Sequence, residues 1–343
     1  MTVHFYGIHP RATANPAISM YSNLQVYRPQ LTSPRLVNTT LQLDAGVRLV
    51  TAQVHNNSGS LHLCHTSCAL LDAGPLSTWL AEIKAWMDVN PNDVVTVLLV
   101  NSDTFTATEL HQQFVTAKLS TYGYVPPQNT VAIQTWPTLQ DLIANNTRLI
   151  TFVADLDPST IMAANAPYLL NEFTFIFENP FQVTDAANFS CTADRPTAVH
   201  GNTATAVSSG RLSLVNHFLD LQEPFGIVVP DVANAKLTNA NSGVVGNLGT
   251  SASQCAQAFG KQPNFLLVDF FDQGPAITTV DLINGITPVG RAAASTLTAT
   301  QKSLGSGGSS TYGVNNHLFS SSLGALVLAG IGLQVVMASL WVL

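Results

Sequence analysis

Imidazoles and carboxylates recur where apolar runs end. His9 follows the short run Val3–Gly7. Gln53 and His55 close the run Val47–Val54, and the trio Leu61-His62-Leu63 leads into Cys64-His65-Thr66-Ser67-Cys68. Further along, Asp103, Asp155, Asp157 and Glu178 each follow an apolar run, and Asp269 and Asp272 lie in and beside the last one. Two histidines with carboxylates nearby suit general acid and base work, because an imidazole exchanges its proton near neutral pH. His55, His62 and His217 receive no role, and Arg48 reads as a structural partner of Asp44. A zinc site at Cys64-His65-Cys68 is disfavoured, because adjacent Cys and His do not easily face one tetrahedral metal and no second Cys/His cluster follows.

The runs themselves say what must position these groups. Val47–Val54, Val94–Val100, Arg148–Ala154, Phe173–Phe177, Leu212–Val215 and Phe265–Phe271 are nearly unbroken in Val, Ile, Leu and Phe. Such runs are strands buried on both faces, as in a parallel sheet. Between them lie helical patterns. Pro75–Val89 puts Leu76, Trp79, Leu80, Ile83, Trp86 and Met87 on one stripe, and Thr138–Ala144 forms a shorter helix. Alternating strands and helices imply βα units. The expected architecture is a single (β/α) barrel of the TIM type over residues 1–300, with a long loop around 182–210. The working residues of such a barrel sit at the C-terminal ends of its strands.

Composition narrows the class. The chain has 343 residues, of which 20 are acidic and 13 basic, with a net charge of −7. That balance argues against a nucleic-acid binder. Apolar residues make up 46%, enough for a large core. Residues 301–322 form a Gly/Ser-rich polar spacer, and residues 323–343 an uncharged apolar tail. Small residues, a polar spacer and a terminal apolar segment make up a GPI-attachment signal, with Gly308 as the attachment residue. The alternative is a C-terminal transmembrane helix. Export requires a leader that Met1–Thr13 does not supply, so one is expected upstream of this start. Sequons at Asn38, Asn56, Asn145 and Asn188 agree with an extracellular, GPI-anchored protein. Four cysteines allow three pairings. A Cys64–Cys68 bridge would lock the loop presenting His65, and Cys191–Cys255 would then tie down the long loop.

The stretch Gln42–Cys68, QLDAGVRLVTAQVHNNSGSLHLCHTSC, resembles the X region of the phosphatidylinositol-specific phospholipase C superfamily, in its secreted, GPI-anchored branch of PLC-like phosphodiesterases. The resemblance continues through Leu71-Asp72-Ala73-Gly74, Trp79, Asn90-Pro91, Val94–Asp103, Trp136-Pro137-Thr138-Leu139, Glu178-Asn179-Pro180-Phe181, Cys191 and Pro263–Phe271. It implies a TIM barrel and a phosphodiesterase acting on an inositol phospholipid or related phosphodiester. It casts His9 as the base that deprotonates the attacking inositol hydroxyl, His65 as the acid that protonates the leaving oxygen, and Asp269 as the carboxylate orienting His9. Gln53, Asp103 and Glu178 are candidates for substrate binding. Two departures stand out. Pro10 and Arg11 follow His9 where the family has Asp or Asn and then Ser. Thr51 and Gln53 stand where bacterial relatives keep an Arg and calcium-dependent ones keep carboxylates. No metal cofactor is therefore expected, since calcium favours charged oxygen ligands. The chain is expected to be a monomer. The competing reading is a cell-surface protein that kept the barrel and lost the chemistry. Glycoside hydrolysis by paired carboxylates has no motif in its support.

Overall fold

In the computed structural model, the described residues are 17–20, 39–65, 67–224 and 228–287. The strands are β1 (Ala17–Met20), β2 (Leu49–Asn57), β3 (Ser60–His65), β4 (Ser67–Pro75), β5 (Val95–Asn101), β6 (Leu149–Ala154), β7 (Leu169–Asn171), β8 (Ile176–Glu178), β9 (Leu212–Asn216), β10 (Asp220–Gln222), β11 (Val228–Pro230) and β12 (Phe265–Val268). Eight of them pair in the order β7-β6-β5-β2-β1-β12-β9-β8, and every neighbouring pair on this path is parallel. All eight C-terminal ends therefore point the same way. Strands β3 and β4 form an antiparallel extension of β2, and β10 and β11 a small separate ribbon.

The eight-stranded sheet carries apolar groups on both faces, as its continuous hydrophobic runs require. Val50, Val54, Val97, Leu99, Val153, Phe177, Val215 and Leu266 pack with the helices that cover the outside. The helix Leu76–Val89 buries the expected stripe there. Its neighbour Ala107–Thr116 begins at a capping box made by Thr106 and Glu109, and Leu139–Ala144 begins at another made by Thr138 and Asp141. The alternate residues form a second core: Leu49, Leu98, Ile150, Phe152, Leu170, Ile176, Leu212, Leu214, Phe265 and Leu267. That core lies on the concave side of a strongly curved sheet. Phe152 of β6 and Phe265 of β12 are four strand spacings apart along the sheet, roughly 19 Å if it were flat, yet their ring centroids are 6.2 Å apart.

The sheet's two edges, β7 and β8, are consecutive in the chain and joined only by the one-turn helix Glu172–Phe175. Laying two parallel strands side by side takes a crossover of a dozen or more residues. Four residues cannot supply it, so no ladder forms between these two strands. The run Phe173–Phe177, expected as one strand, is split here for a local reason. Asn171 Oδ1 accepts from the Thr174 amide at 2.9 Å and from its hydroxyl at 3.1 Å, which starts a helical turn despite the β-forming side chains.

Other differences have similar causes. The last strand ends at Val268 rather than Phe271, because the chain turns at Phe270 (φ 48°). Asn239 Nδ2 holds that turn by donating to the carbonyls of Asp269, Phe270 and Gln273. The long loop 182–210 contains short helical turns at Ala186–Asn188, Thr197–Val199 and Thr203–Ser208. The strand seated between β2 and β12 is Ala17–Met20, and the expected first strand, Val3–Gly7, lies outside the described residues. The chain divides into two units, Met1–Ser306 and Gly307–Leu343, and the described residues all belong to the first.

Candidate active site

Strand alternation decides which residues look into the concave core. On β2 the inward set that begins with Leu49 continues to Thr51, Gln53 and His55. On β8 it runs from Ile176 to Glu178, on β9 from Leu212 through Leu214 to Asn216, and on β12 from Phe265 through Leu267 toward Asp269. The apolar core fills the N-terminal and middle layers. At the C-terminal ends the same face turns polar, with Gln53, Glu178, Asn216 and Asp269. Gln53, Glu178 and Asp269, singled out in the sequence, thus share one face and one end of the sheet. Asp269, Glu178 and Asn216 are buried and Gln53 is half-buried.

His65 ends β3, opposite Ser67 at the start of β4. Val54 of β2 faces Leu63 on one side and Asn101 of β5 on the other, so β3 lies on the edge of β2 that β1 occupies lower down. The backbone of the Cys-His-Thr segment is thereby placed next to β2 at the C-terminal end. The Cys64–Cys68 disulfide closes it, with Cα atoms 4.9 Å apart. Asp103 is exposed, and its two oxygens lie 3.1 Å from His55 Nδ1 and 2.6 Å from the Asn56 amide. It braces the β2 extension. The other unassigned histidines have partners too. His62 Nδ1 lies 2.8 Å from Asp72, while His217 is buried, stacked on Phe189, with Nε2 3.1 Å from the Thr238 carbonyl. Burial holds His217 down to a pKa of about 4. Arg48 pairs with Asp93 at 2.7 Å rather than with Asp44, which instead accepts from the Trp86 indole.

One residue that sequence reasoning passed over lies at the same end. Arg195, in the long loop, pairs through Nη2 with Glu178 Oε2, and its guanidinium stacks 4.5 Å from the Phe181 ring centroid and 5.4 Å from that of Phe173. Asn216 Nδ2 donates to the same Glu178 oxygen at 3.2 Å. Glu172 lies beside Glu178, fully buried. Burial first, then the charge of Glu178, push its carboxyl well above the ordinary range. Nothing in the local sequence TADRPT distinguishes Arg195 from a surface arginine. Only its pairing with the end of β8 does.

The model for the family described as PI-PLC X 1 matches residues 26–284. The chain belongs to the PI-PLC X family. It is 36% identical to "PI-PLC X domain-containing protein 1" of Arthroderma benhamiae over 75% of this chain and 81% of that protein. It is 34% identical to an "Uncharacterized secreted protein" of the same organism, over 74% of this chain and 56% of that longer protein, of which it therefore spans about half. A solved structure, the phosphatidylinositol-specific phospholipase C from Listeria monocytogenes, aligns with a TM-score of 0.47 at 13% identity, over 80% of this chain and 93% of that one.

For a PI-PLC X chain, two points of the site follow. Position 53, on the inward face of β2, carries a neutral amide. His9 and the Pro10-Arg11 pair lie outside the described residues, and His9 precedes β1 in the chain instead of following it. The second disulfide joins Cys191 to Cys255 with Cα atoms 5.0 Å apart, fixing the long loop to the helix Leu248–Phe259. Two disulfides fit an oxidising, extracellular compartment. Asn56, Asn145 and Asn188 are exposed, while Asn38, Gly308 and the apolar tail lie outside the described residues. Among the described residues, no helix is long and apolar enough to cross a membrane, and no group of three or more His, Cys, Asp or Glu is placed to hold a metal ion.

Proposed function

We propose that this PI-PLC X protein is a phosphodiesterase of the cell exterior, acting on an inositol phospholipid or a related phosphodiester at the C-terminal mouth of a (β/α) barrel left unladdered between β7 and β8. One observation carries the reading: in a chain of this family, the polar groups of the concave face are gathered at the strand ends, beside the disulfide-closed hairpin that bears His65. The contact between Phe152 and Phe265 supports the curvature of the sheet into a barrel. His65 protonates the leaving oxygen, His9 takes the proton of the attacking hydroxyl, and Asp269 orients that base. Gln53 and Asp103 face the substrate's polar groups, and Glu178 acts from beneath the surface. The reaction uses no metal ion, because Thr51 and Gln53 offer no carboxylate on β2. The protein acts as a monomer, held to the membrane through a GPI anchor at Gly308.

A second reading has a specific observation in its favour. Ala17–Met20 occupies the strand position between β2 and β12, so the base expected just beyond that strand is not His9 in chain order. With Gln53 on β2, this favours a cell-surface protein that keeps the barrel without the reaction. The deciding experiment uses soluble protein truncated before Leu323, incubated with phosphatidylinositol vesicles with and without chelator. Release of inositol phosphate that survives the chelator supports the enzyme. Loss on chelation overturns the metal-independent mechanism. No release, including from protein made from the full transcript, overturns the enzyme and supports the second reading.

A further inference from the structure

We propose that Arg195 is the phosphate-binding guanidinium of this mouth, presented by the long loop at the end of β8, in a fold whose β2 carries only Gln53. The inference rests on the phosphodiester reading above and adds the residue that meets the anion. A transferring phosphoryl group needs fixed positive charge beside its oxygens. Arg suits that role because its planar fork gives two parallel hydrogen bonds.

The backbone holds Arg195 against the strand end. The Glu178 amide donates to the Arg195 carbonyl at 2.9 Å, and the Arg195 amide returns a bond to the Glu178 carbonyl at 3.2 Å. The Cys191–Cys255 bridge anchors the loop four residues earlier. Glu178 fixes one Nη, and Phe181 and Phe173 flank the plane of the fork. The side chain is nevertheless 40% exposed, whereas Glu178 beneath it is 4% exposed. A ligand arriving at the mouth meets the guanidinium and not the carboxylate. Nε is buried without a hydrogen-bond partner, so the donors that meet an incoming oxygen are on the Nη atoms.

The surrounding carboxyl groups set the field around the guanidinium. Glu178 on β8 is the counter-ion. Glu172, on the one-turn helix, lies beside it with its carboxyl pushed well above the ordinary range by burial. Asp155, just past β6, adds to the negative field at Glu172, and Asp194 in the loop is 3.3 Å from His200 Nδ1. Arg195 and Glu178 balance each other, and Asp155 and Asp194 leave the surroundings net negative, so an anion is held by direct hydrogen bonds to the guanidinium and not by a net positive field.

The test measures binding of myo-inositol 1-phosphate, and separately of inorganic phosphate, by calorimetry at fixed ionic strength, with hydrolysis of phosphatidylinositol assayed on the same preparations. Arg195→Lys keeps the charge and loses the fork. The double variant Arg195→Gln/Glu178→Gln removes both partners and leaves no buried unpaired carboxylate, so it guards against simple misfolding. The expected result is binding weakened about threefold to tenfold by Arg195→Lys and more than tenfold by the double variant, with melting temperatures within a few degrees of the parent. Parent protein that binds neither probe, or a folded double variant that binds as well as the parent, overturns the inference. Weakened binding in a protein that hydrolyses nothing upholds the anion site and overturns only the enzymatic reading. Hydrolysis with kcat and KM unchanged by the double variant overturns the anion site and leaves the enzyme standing.

Discussion

Breaking the Cys191–Cys255 bridge should cost far more stability than breaking Cys64–Cys68, and chain entropy sets the ratio. The first bridge closes a loop with a sequence separation of 64, the second one of 4. In the loop-entropy model the cost grows with the logarithm of loop length, giving about 4 kcal/mol for the long loop and about 2 kcal/mol for the short one. For a domain of this size, each kcal/mol moves the melting temperature by roughly 2–4 °C. Cys191→Ala/Cys255→Ala should therefore melt roughly 8–16 °C below the parent, and Cys64→Ala/Cys68→Ala roughly 4–8 °C below. Cys255 is buried in the outer core, so its truncation adds a little to the first figure. Differential scanning calorimetry on the soluble protein reads both shifts. If the short-loop variant melts lower than the long-loop variant, entropy of the unfolded chain is not what the long bridge supplies, and the reasoning is wrong.

Glu172→Gln should stabilise the protein at neutral pH and leave it nearly unchanged near pH 4. The folded-state pKa lies above the unfolded value, so wild-type stability is full at low pH and falls by about 1.4 kcal/mol per pH unit until the folded group titrates. Denaturant titrations at a series of pH values check it, and equal gains at pH 4 and pH 7 would refute it. His217 has the opposite sign. Its folded pKa of about 4 lies below the unfolded 6.5, so the stability tied to its neutral form is present above pH 6.5 and lost as pH falls toward 4. His217→Gln should flatten that acid limb by at most about 3 kcal/mol. Asp220, raised by burial to about 7, destabilises as pH rises from about 4 to 7, and Asp220→Asn should remove that loss. In the hydrolysis assay, His65→Ala should lose at least roughly 10²-fold in rate, the usual scale of a general acid. An unchanged rate would take His65 out of the chemistry.

Much of the frame was legible because buried parallel strands leave an unbroken apolar signature. The runs around Val50, Val97, Phe152 and Leu214 became β2, β5, β6 and β9, with ends displaced by at most three residues. The Trp79–Ile83–Trp86 stripe became a helix for the reason its spacing gave. The disulfide pairing followed from the closeness of Cys64 and Cys68 in sequence, which left Cys191 to Cys255. What escaped was set by single side chains acting at a distance. Asn171 converted Phe173–Phe175 from strand to helix by capping, and Asn239 bent the chain beyond Asp269 through three carbonyls. The strand Ser67–Pro75 is irregular in composition and pairs only through a bulged ladder with β3, so no periodicity announced it. Arg195 is invisible to any local rule. Its significance lies in the residue across the bridge, Glu178, and the two are brought together by a loop.

The polarity of the concave face argues that its C-terminal end exists for a ligand. Apart from Thr51, the face is apolar from Leu49 and Phe265 up to Leu214 and Leu267. One residue higher along the same alternation stand Glu178, Asn216 and Asp269, all buried, with Glu172 beside them. Buried carboxyl groups are costly, and an apolar set of similar volume would be at least as stable. A fold selected for stability alone would have continued the aliphatic layers to the end. Part of the cost of Glu178 is offset by Arg195 and Asn216, and burial beside Glu178 pushes the Glu172 carboxyl well above its ordinary range. Both devices lower the price of a guanidinium held at the mouth rather than strengthen the core. The polar layer therefore belongs with the hairpin that carries His65, at the end of the sheet where the chemistry of a parallel α/β fold is done.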